Sequence, residues 1–341
     1  MKNVLGALAV MYLLLLSCNQ EEEMTPVLPH NPEIELDIPA AFPPMNPSVE
    51  ANKPTKFGVE LGKKLFNETM FSANNSISCA SCHQQPKAFA DGRARAVGIY
   101  DRAGLRNTPP IQNMAFMKFY NWDGNLLQLE KQPLVPIITH EEMGSSISEV
   151  VTKLSAVPEY RELFAIVFGK GGITPERIYQ SISQYEYTLI SADSKYDRIQ
   201  RGEGDTFTES EKRGLHLFEQ KCAGCHSTAL FTDQTFRNVG FPVNPDRDEA
   251  GRARVTGDPS DYMSFRVPSL RNVEHTAPYG SFGQFQTLRA VLDYFDKGVI
   301  AADNLDPILK ENGNRIPLTE SEKKDMIAFL KTLSDSNFIS K

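Results

Sequence analysis

Hydrophobic positions along this chain recur mostly at helical spacing. Phe57, Leu61 and Leu65 share one face of a predicted helix, and Met326, Phe329, Leu330 and Leu333 make a similar stripe near the end of the chain. Between them, residues 147–200 read as helical, with one stretch over about 149–168 and a second over 175–192. The second opens on Thr174-Pro175-Glu176, a cap followed by proline in the first turn. Thr208 with Glu211, and Thr319 with Glu322, form capping boxes that satisfy free N–H groups at two further helix starts. A long irregular stretch runs through Asn244-Pro245-Asp246. No strand-rich region stands out, so the predicted class is mainly α with long irregular loops.

The N-terminus follows a different pattern. Lys2 precedes an apolar run, Val4 to Leu16, too short to span a bilayer comfortably. The run ends in Leu15-Leu16-Ser17-Cys18, which reads as a bacterial lipoprotein cleavage box. Residues 1–18 are then an export signal, with Cys18 lipidated and the chain anchored to a bacterial membrane facing the periplasm. An ordinary signal peptide with an incidental cysteine is the alternative. Residues 19–50, with Glu21 to Glu23 and seven prolines from Pro26 to Pro47, read as an extended, solvated tether.

Length and charge narrow the class. The 341 residues suffice for two domains, and 40% hydrophobic with 23% charged residues is a globular composition. The polar, Gly-rich Arg201-Gly202-Glu203-Gly204-Asp205 marks the expected boundary, giving domains over 51–203 and 204–341. A net charge of −7 without a basic cluster excludes nucleic acid as a partner, and an acidic surface suits a basic redox partner.

The candidate chemistry lies in two five-residue stretches, Cys79-Ala80-Ser81-Cys82-His83 and Cys222-Ala223-Gly224-Cys225-His226. Each is C-x-x-C-H, the attachment pattern of a c-type haem, in which two thiols add to the porphyrin vinyl groups and the histidine ligates the iron. A zinc knuckle would need four ligands per site, and a redox dithiol does not call for the following histidine. Four cysteines serve two haems and Cys18 serves the lipid, which leaves no thiol over. The surroundings repeat as well: Gly62-Lys63-Lys64-Leu65-Phe66 precedes the first motif and Gly214-Leu215-His216-Leu217-Phe218 the second. Two cytochrome-c-like units of helices and loops are expected, each wrapped on its own haem.

Over roughly residues 55–335 the chain resembles the bacterial dihaem cytochrome c peroxidases, a group that includes the dihaem enzyme maturing methylamine dehydrogenase. The resemblance rests on both haem motifs with Arg106-Asn107-Thr108-Pro109, Trp122-Asp123-Gly124, Glu142-Met143-Gly144, Val267-Pro268-Ser269-Leu270-Arg271-Asn272 and Thr276-Ala277-Pro278-Tyr279. It implies that His83 lies under the iron that meets hydrogen peroxide and His226 under the iron that receives electrons from a small periplasmic donor such as a c-type cytochrome. It also implies Glu142 as the proton-moving carboxylate, with Gln132 beside it. Without the motif, Glu142 would read as a solvated charge. The resemblance further implies that Trp122, the only tryptophan, bridges the haems for electrons, whereas a lone Trp otherwise reads as core. One calcium ion is implied at Asn107 and the carbonyls of Thr276 and Pro278. Members are often homodimers, although no interface is legible here.

The chain departs from that pattern on the far side of both irons. Ile99 stands where the resemblance places a distal histidine, so the first haem is expected to accept peroxide without reductive activation. His140 is the alternative ligand, and an exposed loop histidine is its simpler reading. At the second haem the register puts Phe295 at the ligand position, with Tyr294 one residue away as the candidate and a core tyrosine as its other reading. Three functions follow from these features. The leading one is a peroxidase reducing hydrogen peroxide to water. The second is a dihaem oxidase that uses a highly oxidised state to modify a protein or organic substrate. The third is a non-catalytic, membrane-tethered electron carrier.

Overall fold

Seven helices of ten residues or more organise the described chain: α1 (Lys56–Phe66), α2 (Ile147–Ala156), α3 (Pro158–Phe168), α4 (Pro175–Tyr187), α5 (Glu209–Lys221), α6 (Leu288–Lys297) and α7 (Glu320–Lys331). This computed structural model describes residues 28–243 and 249–340. The apolar run, Cys18, the Glu21–Glu23 run, Pro26 and Asn244-Pro245-Asp246 lie outside the described residues. Among the described residues, strand is confined to β1 (Phe236–Arg237) and β2 (Phe265–Arg266), paired antiparallel with Phe236 opposite Arg266. The protein is mainly α, as its periodicity predicts.

The echo between the two glycine segments has a packing cause. A Cβ on Gly62 of α1 would collide with the Ser181 carbonyl of α4, and one on Gly214 of α5 with the Asp325 carbonyl of α7. Each glycine lets two helix backbones cross in contact. Leu61, Leu65 and Phe66 of α1 bury against Ile178 and Ile182 of α4, and Phe218 of α5 buries against Met326 and Phe329 of α7. At roughly 1.5–3 kcal/mol for each large apolar side chain, these two crossings anchor the two haem-motif segments that follow α1 and α5.

Three sequence expectations are corrected. The stretch over 149–168 is two helices, because Val157 is extended (ψ 118°) ahead of Pro158, which occupies the first turn of α3. The stretch over 175–192 ends at Tyr187, with Thr188 as its C-cap. The tether does not extend to residue 50: from Asn31 onward the described chain belongs to the folded unit. Asn31 is bound to Thr55 and to the Phe57 N–H, and Leu36, Phe42, Met45 and Val49 pack against Met114, Phe116 and Tyr187. The prolines alternate with enough apolar side chains to be worth burying.

The Val267–Asn272 motif forms a buried junction between distant stretches. Arg271, 1% exposed, clamps both Asp197 carboxylate oxygens at 2.8 Å and donates to the Ala229 carbonyl. Against the cost of burial, this guanidinium holds Asp197 below the ordinary carboxylate range. Asn272, at φ 54°, reaches Ser191 and receives the Asp335 N–H. The short helix Ser336–Ser340 then lays Phe338 on Phe89, 5.5 Å between ring centroids, so the end of the chain packs beside the first haem motif.

Candidate functional site

Each C-x-x-C-H motif orients its histidine in the same way. Cys79–Cys82 is a single helical turn closed by a Ser78–Ser81 capping box, and His83 follows as its C-cap. His83 Nδ1 donates to the Phe89 carbonyl at 2.8 Å; His226 Nδ1 donates to the Phe231 and Pro268 carbonyls at 3.2 and 3.1 Å. Phe89 and Phe231 both adopt left-handed backbone (φ 62° and 54°), which turns their carbonyls toward the rings. This leaves each Nε2 for a metal, with its tautomer set by the carbonyl contact. Burial lowers both imidazole pKa values and keeps the rings neutral, as ligation requires. Burial also pushes the Cys82 thiol up to about 11 and Cys222 to about 12. None of the four described cysteines forms a disulfide, and among the described residues no cluster of three or more His, Cys, Asp and Glu forms a zinc knuckle. Paired thiols beside a neutral imidazole on an apolar cavity are the set that a covalently attached haem needs.

The first cavity, about 320 Å³, brings together residues that are far apart in sequence: Cys79, Cys82, His83, Trp122, Gln132 and Glu142. Glu142 sits in the turn after the short helix Leu134–Ile138, closed by Gly144 at φ 55° and pinned where the Ile99 N–H donates to the Glu142 carbonyl. Burial raises the Glu142 pKa, and the neighbouring Glu141 charge adds to it. Gln132 donates through Nε2 to Asn121 Oδ1 at 3.4 Å. Ile99 is buried but does not line the cavity, Tyr100 is exposed, and His140 is 69% exposed beside Glu141. Of the described histidines only His83 lines this cavity, so His140 does not replace the missing ligand.

Two lining residues escaped the sequence reading. Glu186 of α4 is 5% exposed, its Oε2 has no hydrogen-bond partner, and burial with the nearby Glu130 charge raises its pKa to about 8. The signal was available, since Glu186 continues the apolar stripe of Ile178 and Ile182 at four-residue spacing. Arg266 lines both cavities, donates to the Asn121 carbonyl, and is lowered by burial to about 10.

The second cavity, about 350 Å³, carries Cys222, Cys225 and His226 with Met263, Phe241 and Phe295. The candidate Tyr294 does not line this cavity, and its hydroxyl donates to the Gly240 carbonyl at 2.7 Å. On α6 the two positions point in different directions, and it is Phe295 that faces inward. Asn107, Thr276 and Pro278 line this cavity together, and the Asn107 amide nitrogen donates to the Arg93 carbonyl. Trp122 borders both cavities. Its Nε1 donates to the Asn107 carbonyl at 2.9 Å and its ring meets Phe265 edge-on at 6.4 Å.

Two haem-attachment cavities sharing one indole define a dihaem redox protein, and comparison with known proteins gives its family. The profile described as di-haem cytochrome c peroxidase matches residues 56–205. The methylamine utilization protein MauG of Methylorubrum extorquens is 36% identical over 292 residues, covering 84% of this chain and 81% of that protein. The cytochrome c551 peroxidase of Nitrosomonas europaea is 31% identical over 304 residues, covering 87% and 86%. The crystal structure of a MauG-like protein associated with microbial copper homeostasis superposes with a TM-score of 0.81 at 31% identity, covering 90% of this chain and 97% of that one. The chain belongs to the di-haem cytochrome c peroxidase family.

Proposed function

We propose that this protein is a dihaem c-type peroxidase that reduces hydrogen peroxide to two waters, consuming two electrons and two protons. The observation that carries this reading is Glu142 and Gln132 sharing one cavity with Cys79, Cys82 and His83. Cys79, Cys82 and His83 would hold a haem that supplies redox-active iron for peroxide and a store for the electrons. Glu142 moves a proton from the near peroxide oxygen to the far one, and a carboxyl raised by burial is closer to the pH at which such transfer is efficient. Gln132 orients the peroxide through its amide. Trp122 lies on the route between the cavities, and its bond to the Asn107 carbonyl holds the indole in place. A reduced c-type cytochrome supplies electrons at the Cys222–His226 site. With Ile99 tucked away and His140 turned to solvent, the oxidised protein reacts with peroxide directly.

Stopped-flow mixing of the oxidised and half-reduced holoprotein with peroxide, followed by reduced cytochrome c, tests this reading. Glu142→Gln is expected to slow the peroxide step by about 10²–10⁴-fold. Turnover that survives the substitution refutes the assignment, and an electron paramagnetic resonance spectrum of oxidised protein with low-spin haem only refutes direct reaction. The oxidase reading is favoured by the 36% identity to a methylamine utilization protein and by Trp122 bordering both cavities. It predicts a long-lived oxidised species that decays only when an organic or protein substrate is added. The half-buried Glu142, lining the first cavity with Gln132, counts against a plain electron carrier.

The reading extends to one calcium ion, held by Asn107 Oδ1 and the carbonyls of Thr276 and Pro278. Its support is that Asn107 commits only its amide nitrogen, leaving a hard oxygen for the ion. It extends also to a lipid-anchored, periplasm-facing location, supported by the run ending at Cys18.

A further inference from the structure

The second cavity is bounded by two apolar groups of different make-up. Phe231, whose carbonyl holds His226, packs with Phe218, Met326, Leu330 and Cys222. A separate cluster contributes Val239, Phe295, Leu309 and Ile316 to the same cavity, and Phe241 joins it with its ring centroid 5.6 Å from Phe295. This second wall offers no iron donor. The Tyr294 hydroxyl, on a side chain that packs against the same cluster, is given to the Gly240 carbonyl. Other polar side chains on the cavity are engaged as well: Tyr279 donates to the Val273 carbonyl, Lys221 to the Pro317 carbonyl, and Asp306 pairs with Arg237 at 2.6 Å. Two thioethers remain. Met326 belongs to the group that includes Phe231. Met263 is held at φ 56° with its N–H donated to the Ala250 carbonyl.

We propose that the wall of Phe295, Phe241 and Val239 stands over the haem face that His226 leaves free, that no protein side chain ligates the iron there, and that this second site binds small neutral diatomic molecules such as carbon monoxide and nitric oxide. The selectivity follows from the wall. Against the side chains of Phe295, Phe241 and Val239 an anion or peroxide gives up hydration with no hydrogen-bond donor in return, whereas a neutral diatomic gives up little. The inference rests on haem attachment at Cys222 and Cys225, and stands whether or not the first site is a peroxidase.

Carbonyl infrared spectroscopy on the reduced, carbon monoxide-saturated holoprotein tests it. Two C–O stretching bands are expected, one from each site. Glu142→Gln should move the band of the first site only, because that wall carries the acid–base residues. Phe295→Met should abolish the other band and introduce thioether-to-iron absorbance in the oxidised protein. A wild-type protein with a single band that moves with Glu142→Gln overturns the proposal. So does thioether-to-iron absorbance in the wild type that disappears in Met263→Leu, which would identify Met263 as the ligand. A second band that persists in Met263→Leu and is lost in Phe295→Met supports it.

Discussion

Replacing Glu186 by glutamine should make the protein more stable at neutral pH, and by an amount that depends on pH in a definite way. The carboxyl ionises near its ordinary value of 4.5 in the unfolded chain, but burial and the Glu130 charge raise it to about 8 in the folded protein. The sign follows from linkage. A carboxyl raised on folding binds its proton more tightly in the folded state, so its contribution is most favourable below the unfolded pKa and is lost as pH rises toward the folded value. Between those limits wild-type stability falls by about 1.4 kcal/mol per pH unit on account of this group. At pH 7 the loss is about 3 kcal/mol, and above pH 8 it levels off at about 5 kcal/mol. Glutamine keeps the shape and polarity and carries no such dependence. Urea denaturation of both holoproteins between pH 4.5 and 9 should therefore show no difference at the acid end and a growing advantage for Glu186→Gln toward pH 8. A difference that is flat with pH, or a variant less stable than wild type at pH 8, refutes the reasoning.

Trp122→Phe keeps an aromatic ring but removes the donor to the Asn107 carbonyl; transient absorption should show slower electron transfer between the haems, with peroxide binding retained. Arg271→Met leaves Asp197 buried without its partner, and denaturant midpoints should report a loss of about 3–5 kcal/mol. Tyr294→Phe removes one hydrogen bond to Gly240, about 1 kcal/mol, and should leave the visible spectrum of the second haem unchanged; a shifted spectrum would return Tyr294 to the iron.

What the sequence determined by itself was covalent and local. Two thiols and an imidazole at C-x-x-C-H spacing specify haem attachment wherever the segment lies, because the chemistry is contained in five residues. Helical spacing, capping boxes and Pro175 were legible for the same reason, and the break at Val157-Pro158 is equally local, since proline disfavours helix at the residue before it. The glycine echo was visible as a pattern, but its meaning needed the Ser181 and Asp325 carbonyls on other helices. Tertiary structure decided everything that depends on which surfaces meet. It brought Glu142 and Gln132 to the cavity of Cys79, put Trp122 on the border of two cavities, and folded residues 31–50 onto the body. It also chose between Tyr294 and Phe295, since adjacent residues on a helix diverge by about 100° and only packing selects the one that faces the haem site. The burial of Glu186 was legible from its four-residue spacing behind Ile178 and Ile182, but its raised pKa was not, because that is a property of the cavity and of Glu130 nearby.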